Sequence, residues 1–306
     1  MLSKIYSKKM KILIIGSKGF IGSHCVEYFS KEHDVWQCDV VTDYALDNYF
    51  LVDSTNADYN DIFESQQFDV CINCSGAASV PDSIKNPQRD FVLNTLNVFK
   101  QLDAIRKLNS TCKYIHLSSA AVYGNPKFLP IDENHPLDPI SPYGIHKKMA
   151  EDICKEFYEN YNISTCSLRI FSAYGNGLQK QLFWDLYKKS SSKSKVKLFG
   201  TGNESRDFIH VNDLVVAMDQ VIKYSSFKND IVNVASAKEL TINSVVSVFF
   251  KYFKPETQVV FEGNSRLGDP INWLANIEKL QKMNFKQSIT IEQGLKLYTA
   301  WLKEKE

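Results

Sequence analysis

A glycine-rich loop near the start of the chain limits the possible folds more than any other feature. Residues 11–15 (KILII) form a short β-branched run that predicts a buried strand. Gly16, Gly19 and Gly22 follow directly, and a helical pattern then continues to about residue 31. A strand, a glycine turn and a helix in this order are typical of a loop that holds a dinucleotide pyrophosphate at the helix N-terminus.

An acidic residue follows the second predicted strand, residues 35–38. Asp39 stands 17 residues after Gly22. A carboxylate at this distance can accept hydrogen bonds from an adenosine ribose diol, and it would repel a 2′-phosphate. The sequence therefore predicts NAD rather than NADP as the cofactor, with an ordinary loop carboxylate as the alternative for Asp39.

Strands and helices alternate through the first half of the chain. Beyond those above, strands are predicted at residues 69–73, 113–117 and 163–169, and helices at 56–65, 87–108 and 142–161. This alternation predicts an α/β fold with a doubly wound parallel (Rossmann) sheet.

The pattern changes after about residue 171, where glycines and lysines become frequent and strand signals become short. Predicted here are strands at residues 196–199, 231–234 and 259–261, and helices at 182–190, 211–223, 242–253 and 291–303. We expect an NAD-binding Rossmann domain at residues 1–170 and a smaller C-terminal α/β substrate-binding domain at 171–306, with segments that can interleave.

Composition argues against several classes of function. A net charge of +1 over 306 residues gives no basis for binding nucleic acid. No apolar run approaches the ~20 residues that span a bilayer, and no signal peptide is recognised, so we expect a cytoplasmic protein without a membrane partner.

Seven scattered cysteines indicate reduced thiols. No cluster of His, Cys and carboxylates has metal-ligand spacing, so no metal is predicted.

Tyr143 and Lys147 lie four residues apart in a predicted helix, which puts both side chains on one face. The ammonium would lower the pKa of the phenol, because a nearby positive charge favours the phenolate. With a hydroxyl from the upstream Ser118-Ser119 pair, the phenolate could take a proton from an alcohol. The same spacing is typical of a solvated helix face, so the pair is informative only together with the other motifs.

Eight motifs occur in an order that resembles a known family. They are GSKGFIG (16–22), CSGAASVPDS (74–83), NPQRDFVLNTLN (86–97), HLSSAAVYG (116–124), SPYGIHK (141–147), LRIFSAYGNG (168–177), ESRDFIHVNDL (204–214) and RLGDP (266–270). The chain resembles the extended short-chain dehydrogenase/reductases, specifically the nucleotide-sugar epimerases and dehydratases. The resemblance runs from residue 11 to about residue 301.

The resemblance implies a role for each matching residue. Ser119, Tyr143 and Lys147 match the catalytic group, and Lys147 also holds the nicotinamide ribose. The implied cofactor-binding set is Gly16, Lys18, Gly19, Phe20, Ile21, Gly22, Asp39, Asp53, Ser54, Ser75, Gly76, Ala77, Asn94, Tyr143 and Lys147. The implied substrate-binding set is Ser79, Ser119, Ser172, Arg206 and Arg266; the two arginines would grip a diphosphate.

Two departures from the family pattern bear on the reaction. Relatives that dehydrate their substrate have Asp-Glu after the catalytic Ser/Thr, whereas this chain has Ala120 and Ala121. Without those groups, 4,6-dehydration by that route is not expected. Many relatives have asparagine where this chain has Ser172, which leaves the sugar and its nucleotide open.

We therefore expect NAD-dependent redox chemistry at C4 of a nucleoside-diphosphate sugar, with 4-epimerisation as the leading hypothesis. A C4 dehydrogenase or a 4-keto-sugar reductase on the same scaffold is the second hypothesis. A non-catalytic NAD-binding scaffold is the third, which the Ser119, Tyr143 and Lys147 set argues against. The resemblance also implies a homodimer held by a four-helix bundle that contains the helices of Asn94 and Tyr143.

Overall fold

A computed structural model describes residues 9–191, 195–263 and 271–305. The strands are β1 (Lys11–Ile15), β2 (Asp34–Asp39), β3 (Tyr49–Leu51), β4 (Val70–Asn73), β5 (Lys113–Ser119), β6 (Thr165–Ile170), β7 (Ser172–Tyr174), β8 (Lys195–Leu198), β9 (Ser205–His210), β10 (Lys228–Val234), β11 (Glu239–Thr241) and β12 (Gln258–Phe261). The α-helices are α1 (Phe20–Phe29), α2 (Asn60–Ser65), α3 (Val80–Lys85), α4 (Pro87–Phe91), α5 (Asn97–Leu108), α6 (Pro142–Tyr161), α7 (Gln181–Ser190), α8 (Val211–Tyr224), α9 (Ile242–Tyr252), α10 (Glu278–Lys282) and α11 (Ile291–Lys303). A π-helical segment covers Val92–Leu96, and a 3-10 turn covers Ala120–Val122.

A seven-stranded sheet with the order β10-β6-β5-β4-β1-β2-β3 forms the centre of the fold. Every neighbouring pair in it is parallel. The chain winds one way from β1 to β3 and the other way from β4 onwards, so the strand order reverses between β1 and β4. Such a reversal opens a crevice at the carboxyl ends of the two strands, where ligands bind in doubly wound folds. The predicted fold class is confirmed.

Side chains of the central strands alternate between two hydrophobic cores, because successive residues of a strand point to opposite faces. Ile12 and Ile14 belong to one core, together with residues of α1 and α8. Leu13 and Ile15 belong to the other, with residues of α2, α5 and α6. Helices on both faces explain why the first strand is apolar throughout.

The C-terminal half builds a third core, and it also returns to the first sheet. Phe183, Phe208, Phe249 and Tyr298 pack together between α7, α9, α11 and the small sheet β11-β9-β7. Strand β10, by contrast, pairs with β6 at the edge of the seven-stranded sheet. The division into domains at residue 170 stays a prediction.

Predicted element boundaries agree with the structure where apolar periodicity is strong and differ where local polar contacts decide. The helices at 142–161 and 291–303 have the predicted ends. The helix predicted at 56–65 begins only at Asn60, because the Asp53 carboxylate accepts hydrogen bonds from the backbone of Thr55 and Asn56 and holds a turn. Strand β9 was not predicted, since its polar sequence SRDFIH becomes buried only through partners elsewhere, such as Ser236 on the Asp207 carboxylate.

Candidate active site

The glycine loop takes its shape from very close backbone approaches. Gly16 has φ +80°, and a Cβ atom there would lie 2.7 Å from the backbone nitrogen of Ser75. A Cβ on Gly22 would lie 2.0 Å from the carbonyl oxygen of Gly16. Helix α1 starts after Gly19 without a side-chain cap, so its first N–H groups face the loop and suit an anion.

A cavity of about 720 Å³ opens beside this loop at the carboxyl ends of β1, β2 and β4. Eight of the residues predicted to bind the cofactor line it: Gly16, Lys18, Gly19, Asp39, Asp53, Ser54, Ser75 and Gly76. Of the others, Phe20 packs edge-on against His24, Ile21 packs on the core beside α8, and Gly22 lies beneath the loop. Ala77 follows Gly76 without being part of the lining.

The Asp39 carboxylate is held rigidly at the cavity wall. It accepts hydrogen bonds from the backbone nitrogen of Lys18 at 2.8 Å and from that of Val40 at 2.7 Å. The Lys18 ammonium is paired with Asp43 and lies 5.2 Å from the centre of the Tyr49 ring. Among the described residues no ammonium or guanidinium is paired with the Asp39 carboxylate, which lines the cavity.

Ser119, Tyr143 and Lys147 come together where β5 ends and α6 begins. Ser119 caps the 3-10 turn by accepting a hydrogen bond from the backbone nitrogen of Ala121 at 3.2 Å. Helix α6 begins with Pro142 behind the Ser141 cap, and the backbone nitrogen of Tyr143 donates to the Ser83 hydroxyl at 3.1 Å. The Ser119 hydroxyl lies close enough to the Tyr143 phenol to lower its pKa.

The pKa of Tyr143 differs from the expectation drawn from the sequence. Burial raises it to about 12, the hydrogen bond from Ser119 lowers it, and the negative charge of Asp90 raises it further. The effect expected from Lys147 does not set the direction of the shift, because desolvation of the phenolate is the largest cause.

Lys147 lies beneath the tyrosine and is almost completely buried. Its ammonium donates to the backbone carbonyl of Leu117 at 2.8 Å. Burial lowers its pKa to about 8, although the negative charges of Asp90 and Glu151 oppose that shift. The site thus contains a buried cation one helical turn from the phenol.

The π-helical segment places Asn94 between the cofactor cavity and α6. Its amide nitrogen donates to the Asp90 carboxylate at 3.1 Å, and that carboxylate also bonds Nδ1 of His146 at 2.7 Å. A Cβ on Gly76 would lie 2.5 Å from Oδ1 of Asn94. Within the described residues this buried oxygen has no hydrogen-bond partner.

The residues predicted to bind substrate lie around the same end of the sheet but do not form one cluster. Ser79 caps α3 by accepting from the Asp82 backbone at 3.2 Å. Ser172 begins β7. Arg206 donates to the carbonyl oxygen of Ile271 at 3.1 Å, and its guanidinium lies 5.5 Å from the centre of the Trp273 ring. Arg266 lies outside the described residues.

Several cavity residues were not identified from the sequence. Gln88, Arg89, Val92 and Leu93 line the cavity from the side of α4 and the π segment. Their spacing of three and four residues in a predicted helix indicates that they share one face of that helix. The spacing does not indicate what this face contacts.

Comparisons with known proteins agree with this geometry. The model of the NAD dependent epimerase/dehydratase family matches residues 12–235. The chain belongs to this family. The predictions of an enzyme scaffold and of NAD as its cofactor are confirmed by the family match.

Individual members of the family match nearly end to end. A Methanocaldococcus jannaschii protein provisionally named UDP-glucose 4-epimerase is 29% identical over 95% of this chain and 98% of its own length. UDP-glucose 4-epimerase of Lactobacillus helveticus is 30% identical over 74% of this chain and 77% of its own. The structure of UDP-N-acetylglucosamine 4-epimerase from Methanobrevibacter ruminantium M1, in complex with UDP-N-acetylmuramic acid, superposes with a TM-score of 0.88. It is 26% identical and covers 98% of this chain and 100% of that one.

The residues of this chain fit the family cofactor on three observations. The glycine loop leaves no space for side chains at Gly16 and Gly22, the uncapped start of α1 directly follows Gly19 of the cavity lining, and Asp39 places a carboxylate at the rim. NAD would thus be bound along the loop, with its adenosine toward Asp39 and Ser54, as expected for this family fold.

Asp39→Asn tests the role of the rim carboxylate. We expect NAD affinity to fall about 10- to 100-fold, because hydrogen bonds to a charged acceptor are lost, and discrimination against NADP to narrow. Titration calorimetry with both dinucleotides measures this. Asp43→Asn is the control, and it should change NAD affinity less than about threefold, since its ion pair is partly exposed. Equal affinities for the Asp39 variant and the unaltered protein would contradict the assignment.

Lys147→Met tests the buried ammonium through stability. The unfolded chain keeps the lysine proton up to a pKa of 10.5, whereas the folded protein loses it near 8. Between these values the unfolded state binds more protons, so stability rises with pH, by up to roughly 3 kcal/mol from this group. Urea unfolding of cofactor-free protein between pH 7 and 10 should show this rise relative to the methionine variant. Parallel pH dependences would contradict it.

Proposed function

We propose that this protein is a nucleotide-sugar 4-epimerase that inverts C4 through a transient 4-keto sugar. The single observation that carries the proposal is the grouping of Ser119, Tyr143 and the buried Lys147 at the end of the sheet where the dinucleotide cavity opens. A phenol, a hydroxyl and an ammonium in this arrangement suit proton removal from an alcohol.

Each residue then has a distinct task. Tyr143, as the phenolate, accepts the proton of the C4 hydroxyl, while Ser119 donates its hydroxyl hydrogen bond to the sugar oxygen and orients it. Lys147 supplies the positive charge that favours the phenolate during turnover. NAD held along the glycine loop would supply the reversible hydride acceptor that inversion at C4 through a keto sugar requires. The proton on Tyr143 then goes back to the C4 oxygen.

The residues around Ser119 favour epimerisation over the related reactions. Ala120 and Ala121 carry no titratable group, so nothing there can remove water from the keto sugar. The Asp39 carboxylate disfavours NADPH and so argues against an NADPH-dependent reductase. A C4 dehydrogenase would use the same three groups, and release of the keto sugar would distinguish it.

The substrate class is supported by the relatives. The relatives described above are named for UDP-sugars, so we propose a UDP-hexose for this chain. Residues 171–306 would contact it, with Ser172 near the sugar and Arg206 near the diphosphate. An arginine fork matches phosphate oxygens, and the carbonyl and ring contacts of Arg206 keep its guanidinium at this end of the fold.

Tyr143→Phe tests the proposed base. We expect turnover to fall about 10²- to 10⁴-fold, the contribution typical of a general acid–base group, while NAD remains bound. Interconversion of UDP-glucose with UDP-galactose, and of the corresponding N-acetylated and uronic acid sugars, is followed by chromatography. Tyr161→Phe, on the exposed end of the same helix, is the control and should retain turnover.

The nucleotide released from protein purified without added cofactor separates the alternatives. Oxidised NAD together with C4 inversion supports the epimerase. Trapped NADH without inversion would point to a dehydrogenase, and unchanged turnover in Tyr143→Phe would refute the mechanism. A protein that binds NAD but converts none of these sugars would support the scaffold hypothesis.

We further propose that the protein is a homodimer through α5 and α6, which pack side by side. Phe99 of α5, Ile145 and Met149 of α6, and Phe91 at the end of the neighbouring α4 are exposed large apolar side chains. Met149→Glu should give a monomer in sedimentation equilibrium, because a charge would have to be buried in the interface. Leu297→Glu, at an equally exposed apolar position of α11, is the control. A monomeric unaltered protein would exclude the proposal.

No helix in the described ranges has the length and apolar character needed to cross a bilayer. All seven cysteines are free thiols, which supports the proposal that the protein resides in the reducing cytoplasm. Cell fractionation tests this, and recovery in an oxidising compartment would overturn it.

A further inference from the structure

A buried ion pair lies directly behind residues 118–123, the segment that contains Ser119. Glu151 of α6 and Arg169 of β6 are each about 5% exposed. The Glu151 carboxylate accepts from Nε of Arg169 at 3.0 Å and from Nη2 at 2.7 Å, a bidentate arrangement. Neither residue has a part in the proton transfer proposed above.

The glutamate holds the segment at its first residue. The Ser118 hydroxyl donates to Oε1 of Glu151 at 2.5 Å, in a buried environment. Ser118 and Arg169 are register partners on neighbouring strands, so both side chains reach the same carboxylate. Because Glu151 stands four residues after Lys147, this bond joins the catalytic face of α6 to the residue next to Ser119.

The arginine holds the segment at its other end. Nη1 of Arg169 donates to the Tyr123 hydroxyl at 2.9 Å, and the guanidinium lies 4.8 Å from the centre of the Tyr123 ring. The Tyr123 hydroxyl donates in turn to Oδ1 of Asn233 on β10 at 2.7 Å. Tyr123 is fully buried and follows the 3-10 turn that Ser119 caps.

The two ends therefore share one anchor. Residues 118 and 123 enclose Ser119, and each binds one member of the Glu151–Arg169 pair. Lys147 adds a bond to the carbonyl of Leu117, one residue before the segment. Through these contacts the position of the Ser119 hydroxyl is tied to α6, the helix that carries Tyr143.

We propose that Glu151 and Arg169 are positioning residues that set the Ser119 hydroxyl against Tyr143 by holding residues 118–123 at both ends. The inference rests on the proposed function, because it assigns the supporting residues of that same site. Rigid support of this kind matters, since displacing a reacting group by about 1 Å can cost about 100-fold in rate.

Removing one end of the anchor at a time keeps the ion pair intact. Ser118→Ala removes the hydroxyl bonded to Glu151, and Tyr123→Phe removes the hydroxyl bonded to Arg169. We expect each variant to lower kcat about 10- to 100-fold while KM and bound NAD stay unchanged. The acid limb of the pH–rate profile should move to higher pH, because the Ser119 hydroxyl lowers the pKa of Tyr143 against the raising effects of burial and of the Asp90 charge.

Thr165→Val is the matched control. Thr165 is a fully buried residue of β6 whose hydroxyl donates to the Cys154 carbonyl of α6 at 3.2 Å, far along the strand from Ser119. This variant also loses a hydroxyl bond between sheet and helix, so it should lower the urea midpoint without changing kcat or the pH profile.

The outcomes separate this inference from the proposed function. Turnover by the unaltered protein and its loss in Tyr143→Phe establish the reaction independently. If turnover is present and Ser118→Ala and Tyr123→Phe keep the kcat and pH profile of the unaltered protein, the positioning role is overturned. It is also overturned if the Thr165→Val control changes kcat as much as they do. If the unaltered protein turns over no sugar, the proposed function itself has failed.

Discussion

The contact between the backbone of Gly16 and the helix residue Gly22 is the constraint on which the rest of the site depends. It lets α1 start directly against the end of β1, where the strand order reverses. The cavity, the uncapped helix terminus and the wall that contains Asp39 all follow from this close approach. The catalytic residues lie two strands away, and the parallel register of β4 and β5 brings their strand ends to the same edge.

Electrostatics at that edge are set by burial rather than by one ion pair. Desolvation disfavours the phenolate form of Tyr143 and the ammonium form of Lys147. The pKa of Tyr143 therefore rises and the pKa of Lys147 falls. Asp90 acts on both, raising the pKa of each. A site of this kind resists ionisation in the protein alone, and charges brought by ligands would have a large effect in its low-dielectric surroundings.

The sequence predicted most of the fold and the grouping of the residues proposed as catalytic, because glycine spacing, apolar runs and the Tyr143–Lys147 spacing are local signals. It did not predict the direction of the Tyr143 pKa shift, since burial depends on how helices pack over the sheet. It also did not reveal that Glu151 and Arg169 bind the side chains of Ser118 and Tyr123 on either side of Ser119, because partners 18 residues apart on a helix and a strand have no sequence spacing that identifies them. Strand β9 was missed for the same reason, since its burial comes from residues far along the chain.

The π-helical segment divides the helix between residues 87 and 108 into two parts with different orientations. A π turn contains one residue more than an α turn, which rotates everything after it by about 100° around the axis. The part before Val98 presents Gln88, Arg89, Val92, Leu93 and Asn97 to the cavity, whereas the rest of α5 presents Val98, Leu102 and Ile105 to the core. The cavity residues and the core residues of this helix therefore lie on faces that a regular α-helix would not orient in the same way. Deleting one residue within 92–96 would restore a regular α-helix and rotate the core face away from its present position relative to the cavity face.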